Sequence, residues 1–242
     1  LLAIAAAVST GRPLFLRGEP GTGKSNMARA AAVLLKRHFM SYVIQPFTEY
    51  QDLMWTIDHT ARLGHAQILG AMGNTKSKTS AEAQQQGKEE LAITNYLSPG
   101  PLWWALNWQQ ANEWRCKQDF QPEAEGKFKA EQSGVVMLID EIDKADIEFP
   151  NDLLLELDKR TFYVYETQEW VTAVQRPIVI ITSNNEKELP DAFLRRCFFH
   201  YIQFPSAEQM QEIVDVHYPD LKKNLLDAAL KRFFELRDIP GL

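Results

Sequence analysis

The chain has 242 residues and a formal net charge of -6 at pH 7. This length suits one α/β domain plus a small appendage. The mildly acidic balance gives no electrostatic footprint for nucleic acid, and no apolar stretch approaches the ~20 residues of a membrane span. We therefore expect a cytoplasmic protein that does not insert into membranes, and binding of nucleic acid is disfavoured. Cys116 and Cys197 lie in no metal-like spacing, so we expect two reduced thiols.

The apolar start of the chain, residues 1–8, lacks a basic flank and is typical of the cut end of a helix. We expect the chain to begin and end inside a larger polypeptide. The next apolar run, Leu14-Phe15-Leu16, predicts a first strand, and residues 26–36 predict a helix. In that helix Met27, Ala30, Ala31, Leu34 and Leu35 form an apolar stripe.

Between that strand and that helix lies a segment that fits the G-x-x-x-x-G-K-[ST] phosphate loop at every fixed position. Its residues are Gly18, Glu19, Pro20, Gly21, Thr22, Gly23, Lys24 and Ser25. Glycines let successive backbone N–H groups converge on phosphate oxygens. Lys24 is expected to reach the β/γ-phosphates, and the Ser25 hydroxyl to bind Mg²⁺. The segment predicts binding of a nucleoside triphosphate.

Further strands follow along the chain. Tyr42-Val43-Ile44 predicts a short buried second strand. Residues 135–139 and 178–181 are continuous apolar runs, which are typical of strands covered on both faces of a parallel sheet, and residues 198–204 supply a fifth strand. Helix-like segments separate these strands, so the pattern predicts repeated βα units around a parallel sheet.

The connection between the second and third strands is long. Residues 71–90 are polar and predict a flexible or weakly helical segment, residues 91–115 are rich in Trp and Leu and should be folded, and residues 117–133 are polar again. We interpret residues around 68–133 as an insertion with a docked centre. The sheet domain would then span residues 1–205, and residues 206–242, with helical periodicity, would begin a small helical appendage that is truncated.

Two carboxylates follow the apolar run at residues 135–139. A buried strand delivers Asp140 and Glu141 to its carboxyl end, beside the phosphate loop. Asp140 would hold Mg²⁺, and Glu141 would accept a proton from the attacking water or orient it. The alternative is an ordinary solvated acidic turn.

Polar residues also follow the fourth apolar run. The amide of Asn184 could hydrogen-bond the water and the γ-phosphate without adding charge, although Asn184 or Asn185 could instead cap the next turn. Arg195 and Arg196 carry permanent charge suited to a transferred phosphoryl group. On chemistry alone the alternative, plain surface charge, is favoured for these two arginines.

The order of these motifs resembles that of AAA+ ATPases, with the arginine pair eleven and twelve residues after Asn184. More narrowly, the chain resembles the MoxR branch. The segments that carry this resemblance are Gly18 to Lys24, Ile44-Gln45 with Thr48, Gly100-Pro101-Leu102, Asp140-Glu141-Ile142-Asp143-Lys144-Ala145, and Leu189-Pro190-Asp191-Ala192. The branch more often has Asn and Arg where this chain has Asp143 and Lys144.

The resemblance implies a P-loop NTPase fold of the AAA+ type, with three αβα layers, a central five-stranded parallel sheet and a helical lid. It also implies a ring, expected to be a hexamer, with ATP between neighbouring subunits. Arg196, or alternatively Arg195, would reach into the neighbour's site, Asn184 would be sensor 1, and Gln45 would restrain Glu141. The sensor-2 arginine is expected after Leu242.

The predicted function is that of a Mg²⁺-dependent ATPase of the MoxR type, with ATP and Mg²⁺ as cofactors. The ring would remodel, assemble or mature a partner protein, and the resemblance suggests a von Willebrand factor A domain protein as the client. One alternative is a slow ATP-dependent switch or scaffold in a signalling or defence complex. A second alternative is a nucleic-acid motor, which the acidic balance disfavours.

Two aromatic segments remain. Trp103, Trp104 and Trp108 could stack on nucleic acid, but the i,i+4 spacing of the last two and the lack of an interleaved basic run favour core packing. Residues 160–174 alternate in the way typical of a β-hairpin, which is either a plain edge hairpin or a loop that transmits the ATP state to a client. The histidines form no ligand spacing, so no metal beyond Mg²⁺ is expected.

Overall fold

The computed structural model describes residues 1–73, 88–114, 129, 133–184, 186–237 and 239. The strands are β1 (Leu14–Arg17), β2 (His38–Val43), β3 (Trp55–Ile57), β4 (Leu97–Pro99), β5 (Val135–Asp140), β6 (Thr161–Val164), β7 (Glu169–Thr172), β8 (Ile178–Ser183) and β9 (Phe198–Tyr201). The helices are α1 (Leu2–Thr10), α2 (Lys24–Leu34), α3 (His59–Gly73), α4 (Pro101–Leu106), α5 (Trp108–Glu113), α6 (Phe149–Lys159), α7 (Asp191–Arg196), α8 (Ala207–His217) and α9 (Lys223–Arg237).

The central sheet has five strands in the order β2-β5-β8-β1-β9, and every neighbouring pair is parallel. This arrangement confirms the predicted parallel sheet. The second strand begins earlier than predicted, at His38, and ends at Val43. The sequence hides this start because the buried residues His38, Phe39 and Met40 are followed by the exposed Ser41, so no continuous apolar run marks the strand.

Alternate residues of the sheet strands pack into two separate cores. Leu14 and Leu16 of β1 pack with the alanines of α1 and α2, whereas Phe15 faces the other side and packs with α4, α6 and α7. Strands buried on both faces are typical of a parallel sheet between two helical layers. The three-layer αβα fold predicted from the sequence is confirmed.

Helix α2 presents a different face to the sheet from the predicted stripe. Its buried residues are Lys24, Ala28, Ala31 and Ala32, and Leu34 is 59% exposed. The helix begins at Lys24, two residues before the predicted start, and the three alanines allow a close approach to the sheet. The predicted stripe was therefore wrong at Ala30 and Leu34, which are exposed, whereas Ala31 is buried and Met27 and Leu35 pack against the core.

Smaller sheets flank the central one. Strands β3 and β4 pair antiparallel, and so do β6 and β7, which form the predicted hairpin. Trp103 and Trp104 are 0% and 3% exposed, which confirms core packing. Trp104 and Trp108 do not share one helix, because α4 ends at Leu106 and the Asn107 side chain caps α5 by accepting a hydrogen bond from the Gln110 N–H.

Several predictions concern segments only partly described. Residues 74–87, 115–128 and 130–132, which include Cys116 and most of the predicted linkers, lie outside the described residues. Helices α8 and α9 follow the sheet where a helical lid was predicted, and Ser206 caps α8. Cys197 is buried and free of any disulfide. Among the helices of the described ranges, none has the length and apolar character that crossing a membrane requires.

Candidate nucleotide site

Three strands of the central sheet end side by side at the candidate site. Arg17, the last residue of β1, is in register with Ser183, the last residue of β8. Strand β5, on the other side of β8, ends at Asp140. The phosphate loop therefore follows the end of β1, and Asn184 follows the end of β8. Asp140 lies at the same edge of the sheet. In sheets of this kind, ligands bind outside the carboxyl ends of the strands.

The phosphate loop turns sharply before α2. Gly21 and Gly23 have φ angles of +79° and +84°, a left-handed backbone that residues with a Cβ rarely adopt. Gly23 is the N-cap of α2, and the first turn of this helix contains no acidic residue. The N-terminal N–H groups and the dipole of α2 therefore favour a bound anion.

Lys24 is held inside this loop. It is only 6% exposed, and its Nζ donates hydrogen bonds to the carbonyls of Gly18 at 2.8 Å and Glu19 at 2.9 Å. Burial lowers the pKa of Lys24, and the carboxylates at the end of β5 act in the opposite direction. Backbone carbonyls therefore keep the ammonium at the loop, where it can donate to phosphate oxygens.

Ser25 and Asp140 form the oxygen-donor pair of the site. Ser25 Oγ donates a hydrogen bond of 2.8 Å to Asp140 Oδ2, and the Thr182 hydroxyl donates to the other carboxylate oxygen. Hydroxyl and carboxylate oxygens suit Mg²⁺, which usually takes one or two protein ligands together with substrate phosphates. The described residues contain no cluster of three or more His, Cys, Asp or Glu that could hold a metal ion.

Glu141 occupies an unusual backbone position. Its φ angle is +61°, a left-handed conformation that is uncommon outside glycine, and its N–H donates to Thr182 Oγ1 at 3.0 Å. The Glu141 carboxylate accepts hydrogen bonds from Lys144 Nζ at 2.5 Å and from Asn184 Nδ2 at 3.2 Å. The hydrogen bond to Glu141 raises the pKa of Lys144.

Asp143 connects this cluster to the loop that follows Asn184. It is 2% exposed, and its Oδ2 accepts a hydrogen bond of 2.9 Å from the backbone N–H of Glu186. Its other oxygen is buried and has no hydrogen-bond partner among the described residues. Asp143 therefore fixes the loop from which the Asn184 amide reaches Glu141.

Three other predicted site residues form no hydrogen bond or ion pair with this cluster among the described residues. Gln45 is exposed, and within the described ranges no hydrogen bond joins it to Glu141. Its backbone N–H donates to Thr48 Oγ1. Arg195 and Arg196 occupy the last turn of α7 and are exposed. Neither arginine forms an ion pair or hydrogen bond with the part of the chain that the structure describes. Asn185, the alternative capping residue, lies outside the described residues.

Sequence reasoning missed Arg237 as a partner of the phosphate loop. This residue of α9 forms an ion pair with Glu19 of the loop, and its guanidinium lies 3.6 Å from the ring centroid of Phe204. The contact joins residues 218 positions apart, so no local spacing could reveal it. Lys144 was similarly missed as a partner of Glu141, although their i,i+3 spacing was a usable signal.

Comparisons with known proteins agree with this geometry. A family model described as the AAA domain (dynein-related subfamily) matches residues 13–197. The crystal structure of a "putative ATPase" from Cytophaga hutchinsonii shares 15% sequence identity and superposes with a TM-score of 0.52. The match covers 91% of this chain and 50% of that one, so this chain spans about half the length of that protein. At this identity the likeness shows a shared fold alone. No curated protein matches the chain.

Proposed function

This chain belongs to the AAA domain family, in its dynein-related subfamily, and from that premise we propose that it is an ATP hydrolase, a MoxR-like ATPase working in a cytoplasmic ring. The proposal depends most on one observation. Lys24, Ser25, Asp140 and Glu141 converge at the carboxyl edge of the sheet, with Ser25 Oγ only 2.8 Å from Asp140 Oδ2. Phosphoryl transfer needs such a convergence of positioning groups and charges.

The side chains have separate roles in hydrolysis. Lys24 exchanges its hydrogen bonds to the loop carbonyls for bonds to the β/γ-phosphate oxygens. Mg²⁺, held by Ser25 and Asp140, would neutralise charge on those phosphates. Glu141 orients the attacking water and accepts its proton. Asn184, which donates to Glu141 at 3.2 Å, keeps that carboxylate in position and adds no charge.

We propose that Arg196, or alternatively Arg195, completes the site of a neighbouring subunit in a hexamer. Both guanidiniums are exposed in the last turn of α7 and make no ion pair among the described residues. An arginine with permanent charge and no carboxylate partner is suited to stabilising a phosphoryl group in trans.

We propose further that the ring remodels or matures a protein client, with a von Willebrand factor A domain protein as the first candidate. The β6–β7 hairpin supports a protein client, because Tyr165 and Trp170 are 75% and 62% exposed. Tyr163 contacts both rings, at centroid distances of 5.1 Å and 5.2 Å. Exposed aromatic side chains of this kind are enriched in protein interfaces.

Mixing inactive subunits tests the ring. Arg196→Ala and Lys24→Ala subunits should each hydrolyse little ATP alone, whereas a mixture should regain activity because some interfaces combine an intact loop with an intact arginine. Arg195→Ala replaces Arg196→Ala in a parallel mixture to decide between the two arginines. Arg232→Ala, an exposed residue of α9, serves as the control and should keep wild-type activity. No recovery in either mixture, with assembly intact by light scattering, would contradict the shared site.

A further inference from the structure

A cavity of about 100 Å³ lies at the amino edge of the central sheet, the edge opposite the nucleotide site. Its walls are the end of α1, the end of α6, and the segments that enter β1, β2 and β8. Four arginines from these separate segments line it: Arg12, Arg37, Arg160 and Arg176. Asp158 is the one acidic residue among the lining residues.

Few carboxylates lie near these arginines to balance their positive charge. Within the described residues none of the four is within ion-pair distance of an acidic side chain, and Asp158 forms no ion pair there either. Arg37 donates to the Arg176 carbonyl at 2.7 Å, and Arg176 donates to the Gly11 carbonyl. The side chains of Arg12 and Arg160 make no hydrogen bond to described residues, so most guanidinium donors around the cavity remain available.

The guanidinium of Arg176 lies close to Gly11. Gly11 has a φ angle of +66°, and a Cβ at this position would collide with the Arg176 guanidinium. Burial lowers the pKa of Arg37. Burial also lowers the pKa of Arg176; the charge of Arg160 lowers it further, and the charge of Asp158 acts in the opposite direction. The like charges therefore repel one another, and a bound anion would relieve that repulsion.

We infer that this cavity is a second ligand site, which binds a small oxyanion bearing a phosphoryl or carboxylate group. Guanidinium forks match both groups through paired N–H donors. The volume of the cavity also suits a small anion, because one water molecule needs roughly 10–15 Å³ and the cavity volume is several times larger. The ligand is distinct from the nucleotide in the phosphate loop, since the sheet separates the two sites.

Titration calorimetry tests the inference. Because phosphate also fits the phosphate loop, the protein is first saturated with ADP, and chloride keeps the ionic strength constant. Orthophosphate and citrate are then titrated separately. Arg12→Gln/Arg160→Gln is the test variant, since both side chains are exposed and make no bond that folding requires. Lys231→Gln/Arg232→Gln on α9 removes the same charge far from the cavity and is the matched control.

Wild type and the control should bind at least one of the two anions saturably at a single site. The test variant should bind it about tenfold more weakly or worse, because two sets of charge-assisted hydrogen bonds are lost. Binding of orthophosphate alone identifies a phosphoryl ligand, and binding of citrate alone identifies a carboxylate ligand. Failure of both anions to bind wild type, or equal affinity in wild type and the test variant, would overturn the inference.

Discussion

The Lys144 ammonium lies 2.5 Å from Oε2 of Glu141, the carboxylate proposed to orient the attacking water. The short turn Ile142–Lys144 returns the chain so that this lysine faces the end of β5. From the other side Asn184 donates to Oε1, and Thr182 fixes the Glu141 backbone. The orientation of one carboxylate thus depends on groups from two neighbouring strands.

The ion pair between Lys144 and Glu141 predicts a measurable change in the pKa of Lys144. The hydrogen bond from Lys144 to Glu141 raises the pKa of Lys144. Because this pKa is raised on folding, the stabilising effect is fully present below the ordinary lysine pKa of about 10.4 and is lost as the pH rises through the folded value. An NMR titration of Lys144 should give a pKa that falls in Glu141→Gln and is unchanged in the exposed-site control Glu212→Gln. An identical Lys144 pKa in wild type and Glu141→Gln would exclude the pair in solution.

Removal of the Ser25 hydroxyl should weaken Mg²⁺-dependent binding of ATP. Ser25→Ala removes a predicted ligand and the 2.8 Å hydrogen bond to Asp140. Loss of a group that only supports a ligand costs about 10- to 100-fold in metal affinity, so loss of a ligand should cost at least that. Ser25→Thr, which keeps the hydroxyl, is the control. The Mg²⁺ concentration for half-maximal binding of a fluorescent ATP analogue measures both variants, and equal values for Ala and Thr would remove Ser25 from the metal site.

Asp143 should stabilise the fold through the hydrogen bond that its carboxylate accepts from the Glu186 backbone N–H. Asp143→Ala leaves that N–H without its acceptor and should lower the free energy of unfolding by about 1–3 kcal/mol. Asp143→Asn retains an acceptor oxygen and should cost less. Asp146→Ala, a neighbouring exposed position, should change stability by less than about 0.5 kcal/mol. Urea unfolding measures all three variants. If Asp143→Ala were as stable as Asp146→Ala, the hydrogen bond between Asp143 and the Glu186 N–H would make no measurable contribution to the free energy of unfolding.

Cys197 should resist alkylation in the folded protein. Burial raises the pKa of its thiol to about 12, so little thiolate exists at pH 8. In a Cys116→Ser background, iodoacetamide should modify Cys197 at least about 100-fold more slowly in buffer than in urea. Comparable rates under the two conditions would mean that the thiol is accessible in the fold.

The sequence predicted the parts of the site whose signals are local. The phosphate loop has fixed spacing within eight residues, and the continuous apolar run before Asp140 marks a strand end. Since parallel strands bring their carboxyl ends together, Asp140 and Asn184 could be assigned to one edge without coordinates.

The remaining features depend on contacts that no short window contains. Arg237 forms an ion pair with Glu19, which is far away in the sequence. The arginines that line the cavity at the amino edge of the sheet come from four separate segments. The start of β2 was missed because His38 and Ser41 interrupt its apolar pattern, although His38 is buried. Tertiary packing, rather than local pattern, decides these positions.

The most direct test of the proposed mechanism is ATP turnover by Glu141→Gln. The amide keeps the size of the side chain but cannot accept a proton from water, and general-base catalysis contributes about 10²- to 10⁴-fold. We predict that this variant binds ATP with wild-type affinity and hydrolyses it at least about 100-fold more slowly, while Glu212→Gln keeps the wild-type rate. Hydrolysis by Glu141→Gln at the wild-type rate, with ATP binding intact, would contradict the role assigned to Glu141.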